Sequence, residues 1–251
     1  MGRVIIDWVG TGSAFNPALG NTSFLVHAPG SERVLLVDCG TLVPSRLLET
    51  GWIDRITDVA ITHAHADHIG GIESFSLYHY FVKGNRGGAR PRLHLASDAF
   101  AHSLWENSLK GGMGVIQDPD GRVYDAALSS YFQVEVNHEP AIPGLPKFRF
   151  VPTPHVAAMP NWGLRFDNGV FYSGDTLEPP PLDADLIFQD CQFNEDGPSA
   201  VHISYRELKE TLPAEVRART HLVHLSEAYH DHDAQADGFA GFVMPDQRFE
   251  V

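Results

Sequence analysis

Residues Ile61 to Gly71 read ITHAHADHIGG, and His63, His65, Asp67 and His68 within them carry side chains that donate electron pairs to metal ions. Neutral imidazole nitrogens and carboxylate oxygens are the usual protein donors to zinc and similar divalent cations. Alternation at the end of a strand turns His63 and His65 to the same side, and Asp67 and His68, one step on, can face a second ion from the opposite side. Four donors on one tetrahedral ion would leave no open position for chemistry, so the crowding argues for two ions. The bland alternative is a solvated polar turn. Such a turn would use Ser, Asn and Lys as readily, and it would not follow the apolar run DVAI directly.

Strands and helices must bring further groups to this stretch. RVIIDWVG, TSFLVHA, RVLLVDCG and ITDVAITH read as strands, with PSRLLETGW as a short helix between the last two. After the motif a helix is expected over Ile69 to Tyr80, then a strand at RLHLAS and a helix at SDAFAHSLWENSL capped by Ser97 or Asp98. YFQVEVN, FRFVPTPH, NWGLRFDN, GVFYSGDT and ADLIFQDCQF are strand-like, SYRELKETLP is a helix ended by Pro213, and THLVHLS is a final core strand. No low-complexity linker divides residues 1–251. The pattern predicts a single α/β (α+β) domain: an αββα sandwich of two mixed β-sheets flanked by helices.

The chain has 251 residues, 43% hydrophobic and 20% charged, an ordinary globular composition. Its net charge of −14 argues against large nucleic acids, whose binding needs a basic face. No apolar run approaches the roughly 20 residues that span a bilayer, so no membrane partner and a cytoplasmic location are expected. Cys39 and Cys191 each end an apolar segment and read as buried thiols rather than a disulfide.

The motif H-x-H-x-D-H, followed by single donors after later strands, resembles the metallo-β-lactamase superfamily of metal-dependent hydrolases. GTGSAFNP, LLVDCG, THAHADHIGG, YSGDT and THLVHLS fall in the order this superfamily uses, so the resemblance covers nearly the whole chain. It implies three further ligands, His155, Asp175 and His224. By the same resemblance His63, His65 and His155 hold one metal, Asp67, His68 and His224 the other, and Asp175 bridges them. Asp38 matches an aspartate that sits beneath the metals and orients ligands. The ions implied are zinc, with manganese or iron as alternatives, since His and Asp donors suit all three.

The superfamily hosts several chemistries, so fold does not decide among them. GTGSAFNPALGNTSFLV, IFQDCQFN and AVHISYRELKETL resemble the branch containing ribonuclease Z and small cyclic-nucleotide phosphodiesterases. Enzymes of phages and bacteria that degrade cyclic nucleotide defence signals belong to that branch, and its members commonly dimerise, which implies a homodimer here. Attack on phosphorus expels an alkoxide of high proton affinity, and an imidazolium that protonates it lowers the barrier. His202 is placed for that role, Asp190 for orienting it and keeping it charged, and Asp67 is counted with them as catalytic. The expected substrate is a small phosphodiester such as a cyclic nucleotide. A lactonase or other carboxylic ester hydrolase, a ribonuclease Z-like tRNA 3′ endonuclease and a non-catalytic metal-dependent binding module are the alternatives. Against the tRNA nuclease, the longest insert, Gly111 to Arg122, is hardly basic.

Three weaker signals remain. Arg86, Arg90 and Arg92, with Lys83, punctuate a glycine-rich loop that either grips substrate phosphate or is merely solvated. Gly111 to Gly114 form either a mobile lid or an ordinary turn. AYHDHDA, through His230 and Asp233, imitates the metal motif without its apolar flank and reads as a surface turn. His27, His79, His94, His102, His138 and His221 lack a carboxylate at ligand spacing and are expected to do no catalytic work. Trp52, Trp105 and Trp162 are expected in the core.

Overall fold

In the first strand, β1 (Ile5–Gly10), half-buried positions alternate with buried ones, and Ile6 and Trp8 point inward. The next strands, β2 (Ser23–His27), β3 (Val34–Val37), β4 (Asp58–Ala60) and β5 (Arg92–Leu95), are almost wholly buried. This is what a sheet covered on both faces requires of its sequence. A small hairpin, β6 (Val115–Gln117) and β7 (Val123–Asp125), precedes β8 (Gln133–Val136). The second half supplies β9 (Phe148–Pro152), β10 (Trp162–Phe166), β11 (Val170–Tyr172), β12 (Leu186–Asp190) and β13 (Thr220–Val223). Two short strands, β14 (Gly241–Phe242) and β15 (Arg248–Glu250), end it. The structure is a computed structural model and describes residues 3–84, 89–118, 120–193 and 201–251.

Two mixed sheets result, ordered β15-β1-β2-β3-β4-β5-β8 and β14-β13-β12-β11-β10-β9. Helices flank them, the α/β sandwich that the sequence predicts. Between the sheets, Trp8 from the first meets Phe188 from the second and Phe24 meets Tyr172, with ring centroids 5.0 and 5.1 Å apart. A second apolar cluster, including Ile187, Ile203 and Leu208, packs the helix Tyr205–Thr211 onto the second sheet. Among the described residues no helix is long and apolar enough to cross a membrane. Cys39 and Cys191 are buried free thiols.

Strand direction decides where the chemistry goes. β3, β4 and β5 run parallel, as do β11, β12 and β13. Asp38, His63, Asp175 and His224 follow the C-terminal ends of such strands and Asp190 ends one, and their mutual contacts place them on one rim.

The structure departs from the sequence reading in four places. The helix expected over Ile69 to Tyr80 is broken into Ala66–Ile69, Ile72–Leu77 and a π-helical turn Tyr78–Val82. The break falls at Gly70 and Gly71, where the Gly71 amide donates to the Cys39 carbonyl (2.9 Å) instead of continuing the helix, an approach so close that a Cβ there would collide with the Gly40 carbonyl and Pro44. Gly111 and Gly112 lie in the helical turn Lys110–Met113, neither lid nor open turn. Two short strands that the sequence reading does not name, β14 and β15, follow THLVHLS at the sheet edges. Finally, His27 and His94 do have carboxylate partners: His27 Nε2 stands 2.9 Å from Asp7 Oδ2, and His94 Nε2 stands 2.9 Å from Asp58 Oδ1. Both pairs cross between neighbouring strands, where sequence spacing gives no sign of them.

Asp58 is fully buried and also accepts from Thr57 Oγ1 (2.7 Å) and pairs with Arg33 (2.5 Å). Burial alone would raise its pKa, but His94, Thr57 and Arg33 outweigh burial and hold it below the usual carboxylate value. Its contribution to stability is thus present above the unfolded-state pKa and lost as pH falls through the depressed folded value. Asp58→Ala should lower unfolding free energy at neutral pH by about 2 kcal/mol, because it leaves the partly buried Arg33 and the buried His94 without their shared carboxylate. Urea titrations should show that deficit shrinking toward acid pH.

Candidate metal centre

His63 follows β4 directly, and the helical turn Ala66–Ile69 presents Asp67 and His68 one step on. His155 comes from the loop after β9, Asp175 from the loop after β11, and His224 from the end of β13. The structure brings all seven side chains together. His63, His65, His155 and Asp175 form one group whose donor atoms lie within 4.8 Å of one another, and Asp67, His68, Asp175 and His224 form a second.

In the first group His65 Nδ1 lies 3.1 Å from both His63 Nε2 and His155 Nε2. Asp175 Oδ2 stands 3.5 Å from His63 Nε2 and 3.8 Å from His155 Nε2. In the second, His224 Nε2 is 3.2 Å from Asp67 Oδ2 and 3.5 Å from Asp175 Oδ2, while His68 Nε2 is 3.3 Å from Asp175 Oδ1. A tetrahedral ion with nitrogens at its usual bond length separates its donors by about 3.3 Å. The donor set therefore fits. Two of its atoms, His68 Nε2 and Asp175 Oδ1, are buried without a hydrogen-bond partner. An orphan of that kind costs roughly 1–3 kcal/mol, which a cation placed between the donors would remove. The two donor groups are suited to a divalent metal.

Outer contacts aim the rings. His68 Nδ1 donates to Asp38 Oδ2 (2.8 Å), His155 Nδ1 donates to the Val201 carbonyl (2.5 Å), and His63 Nδ1 meets Thr62 Oγ1 (3.1 Å). His224 Nδ1 faces Asp190 Oδ1 at 3.3 Å. With these four Nδ1 atoms so occupied, the corresponding Nε2 atoms converge on the centre. Burial pushes His63, His65 and His155 below the ordinary imidazole pKa and keeps them neutral donors. Burial opposes charge on His224 as well, yet Asp175, with Asp190 and Asp67, raises it to about 10. Burial likewise works against the Asp175 charge, and His224, His68 and His63 reverse it, holding that carboxyl well below the usual range.

Asp38 anchors this framework. It is fully buried, adopts φ 59°, and accepts from the Thr62 amide (2.8 Å), Thr62 Oγ1 (2.8 Å) and His68. The left-handed backbone suits Asp and Asn and disfavours most other residues. Asp38→Asn should therefore fold while orienting His68 less well, weakening metal affinity by roughly 10–100-fold. Competition against a chromogenic chelator measures the change.

His202 lies beside the ligands. Its Nδ1 is 2.8 Å from Asp190 Oδ2, and its ring packs 4.7 Å from that of His224 and 4.9 Å from that of His155. Asp190 is fully buried and accepts also from the Thr176 amide at 2.8 Å. Burial tends to discharge His202, but Asp190 outweighs it and raises the pKa. A cavity of about 660 Å³ opens here, lined by His65, Asp67, Asp175, His202 and His224 and, on its outer side, by Ala14, Phe15, Pro17 and Leu42.

Of the loop arginines, the described Arg90 and Arg92 are not part of this assembly within one chain. Arg92 pairs with Asp58 in register, at the N-terminal end of β5 and so at the far end of the sheet from His63. Arg90 donates to the Ser129 carbonyl on that same side, and Arg86 lies outside the described residues. His230 belongs to the 3-10 turn Glu227–Asp231, and the imitation of the metal motif ends there. Sequence reasoning missed Phe15 as a lining residue. Its signal, an aromatic inside a glycine- and proline-rich loop, is indistinguishable in sequence from a core anchor.

A family profile described as Anti-Pycsar protein Apyc1 matches residues 4–249. An Anti-Pycsar protein Apyc1 of Bacillus phage 010DV004 is 36% identical over 258 aligned positions, covering 95% of each chain. Another, from Paenibacillus harenae, is 35% identical and covers 98% of this chain and 99% of its own. Among solved structures, the metallo-β-lactamase fold protein YhfI from Bacillus subtilis superposes with a TM-score of 0.72 at 17% identity over the whole of both chains. The short form of human tRNase Z superposes with a TM-score of 0.66 at 14% identity, covering 98% of each chain. These likenesses show the metallo-β-lactamase fold.

Proposed function

The chain belongs to the Anti-Pycsar protein Apyc1 family, and from that premise we propose that it is a dinuclear metallo-phosphodiesterase that hydrolyses a cyclic nucleotide defence signal. It is a metal-dependent hydrolase. One observation carries the step to phosphodiester chemistry: a histidine held by a buried carboxylate, His202 on Asp190, adjoins both donor groups. Hydrolysis of a lactone or carboxylic ester has less need of such an acid.

In this reading His63, His65 and His155 hold one ion, Asp67, His68 and His224 the other, and Asp175 serves both. Zinc suits these donors. When bound, the ions supply Lewis acidity and a nucleophile at neutral pH. The chain's own residues do the rest. Asp38 and Thr62 keep His63 and His68 aimed inward. Asp190 holds the His202 proton on Nδ1 and favours the imidazolium, so that Nε2 can deliver a proton to the departing ribose oxygen. With His63, His68, Asp175 and Asp190 almost fully covered, these groups act on one another in a medium of lower dielectric than water.

The net charge of −14 supports a small substrate over tRNA. The reading extends to one domain over residues 1–251, a cytoplasmic location where such a signal is met, and a homodimer. The dimer draws its support from exposed Val115 and Val123, which share one face of the β6–β7 hairpin. The test is incubation of the zinc-loaded protein with 3′,5′- and 2′,3′-cyclic nucleotides, an acyl-homoserine lactone and precursor tRNA, with products separated by chromatography. Linear nucleoside monophosphates as the dominant products are expected. Faster lactone opening, or accurate tRNA trimming at the rate of the best small substrate, would overturn it.

A further inference from the structure

We infer that Phe15 is the platform on which the nucleobase of the substrate stacks, at the mouth of the metal cavity. This rests on the phosphodiesterase reading above and adds to it a residue that selects for a base.

Phe15 is 91% exposed, far more than any other large hydrophobic side chain among the described residues. An aromatic ring in water is ordinary on a loose loop, but this loop is pinned. Ser13 N and Asn16 Nδ2 both donate to the Leu225 carbonyl, at 3.1 and 3.0 Å, and Leu225 N donates back to the Thr11 carbonyl at 2.9 Å. Leu225 adjoins His224. Further bonds from Thr11 N to Leu19 and from Gly12 N to Gly20 close the loop on itself. Packing is tight enough that a Cβ at Gly12 would meet the Gly20 carbonyl oxygen at 2.6 Å and that of Asn16 at 2.7 Å. The backbone that carries the ring is thus held at a fixed place relative to His224, and the ring projects out of the core.

What it faces is the cavity. At about 660 Å³ this space is of the size that takes a whole small ligand, more than a phosphate alone needs. Its described lining divides in two: His65, Asp67, Asp175, His202 and His224 on the chemical side, and Ala14, Phe15, Pro17, Ala66 and Leu42 on the outer side. Of the other polar groups there, Asn21 Oδ1 accepts from the Leu42 amide (2.9 Å) and Thr41 Oγ1 donates to the Ala66 carbonyl (3.2 Å). A ligand whose phosphate sits on the metal side and whose remainder is a flat, weakly hydrated ring matches that division, and base–aromatic stacking is the interaction a solvent-facing Phe offers.

The test compares two substrates on the zinc-loaded enzyme: 3′,5′-cyclic AMP and the base-free 3′,5′-cyclic phosphate of 1-O-methylribose. Phe15→Ala should raise KM for the nucleotide by about tenfold or more, the loss expected for one base stack, with kcat little changed. The same variant should leave KM for the base-free diester unaltered. Phe15→Trp should restore the nucleotide KM. Equal KM shifts on both substrates, no shift on either, or a change in molecular mass of the Phe15→Ala protein by light scattering would overturn the inference, the last by making Phe15 a subunit contact. A wild type that cleaves neither diester would instead bring down the phosphodiesterase reading, and this inference with it.

Discussion

Asp175→Ala protein, reconstituted with excess zinc and freed of loose ions, should hold at most one ion per chain and lose more activity than the ~10²–10⁴-fold that a general acid supplies. Asp175 is the carboxylate common to both donor groups, with Oδ2 at 3.5–3.8 Å from His63, His155 and His224 and Oδ1 at 3.3 Å from His68. The charged forms of His68 and His224 are favoured by it, and it stands within 3.8 Å of His63, His68, His155 and His224 alike. Its loss leaves two incomplete sites rather than one. Elemental analysis with circular dichroism as the folding control decides the matter. Two ions per chain at wild-type affinity would show that Asp175 does not bridge.

The donors were legible in the sequence because their chemistry is local. His63, His65, Asp67 and His68 sit within six residues, and metal-seeking side chains crowded behind an apolar run have little use but to hold a metal. His155, Asp175 and His224 are single residues after strands, and nothing in spacing joins them to the motif. Resemblance located them, and the strands β9, β11 and β13, which run in one direction through the second sheet, account physically for their meeting on one rim. Most strands were legible from apolar runs, whereas β6, β7, β14 and β15 are two or three residues long and carry no period that a reader could count.

Less legible were pairings made across strands. His94 with Asp58 and His27 with Asp7 depend on register, which composition does not encode. The arginine loop illustrates the reverse error. Arg90 and Arg92 follow the metal motif closely in sequence, but one crossover returns the chain to the opposite end of the sheet before β5 begins. Proximity in sequence and proximity to the site are unrelated when a parallel connection intervenes. The break at Gly70 and Gly71 has a similar origin: the helical pattern is present, and the Gly71 amide bonds instead to the Cys39 carbonyl of a neighbouring loop.

His202→Ala should keep both ions and lose about 10²–10⁴-fold in turnover of a cyclic nucleotide. The residue is not one of the seven donors, and its Nδ1 is committed to Asp190 at 2.8 Å, so its removal leaves the donors in place. Departing ribose alkoxide has a high proton affinity, and without a proton from His202 Nε2 it must leave as the bare anion. p-Nitrophenolate has no such need. On bis(p-nitrophenyl) phosphate the variant should therefore recover much of the lost rate, and that contrast separates acid catalysis from positioning. Asp190→Asn is a different case, because Asp190 also faces His224 Nδ1 at 3.3 Å and accepts from Thr176. It should lose rate on both substrates and weaken metal affinity besides. If His202→Ala instead lost the same factor on good and poor leaving groups alike, His202 would be a residue that positions the phosphate, and the leaving oxygen would have to take its proton from elsewhere.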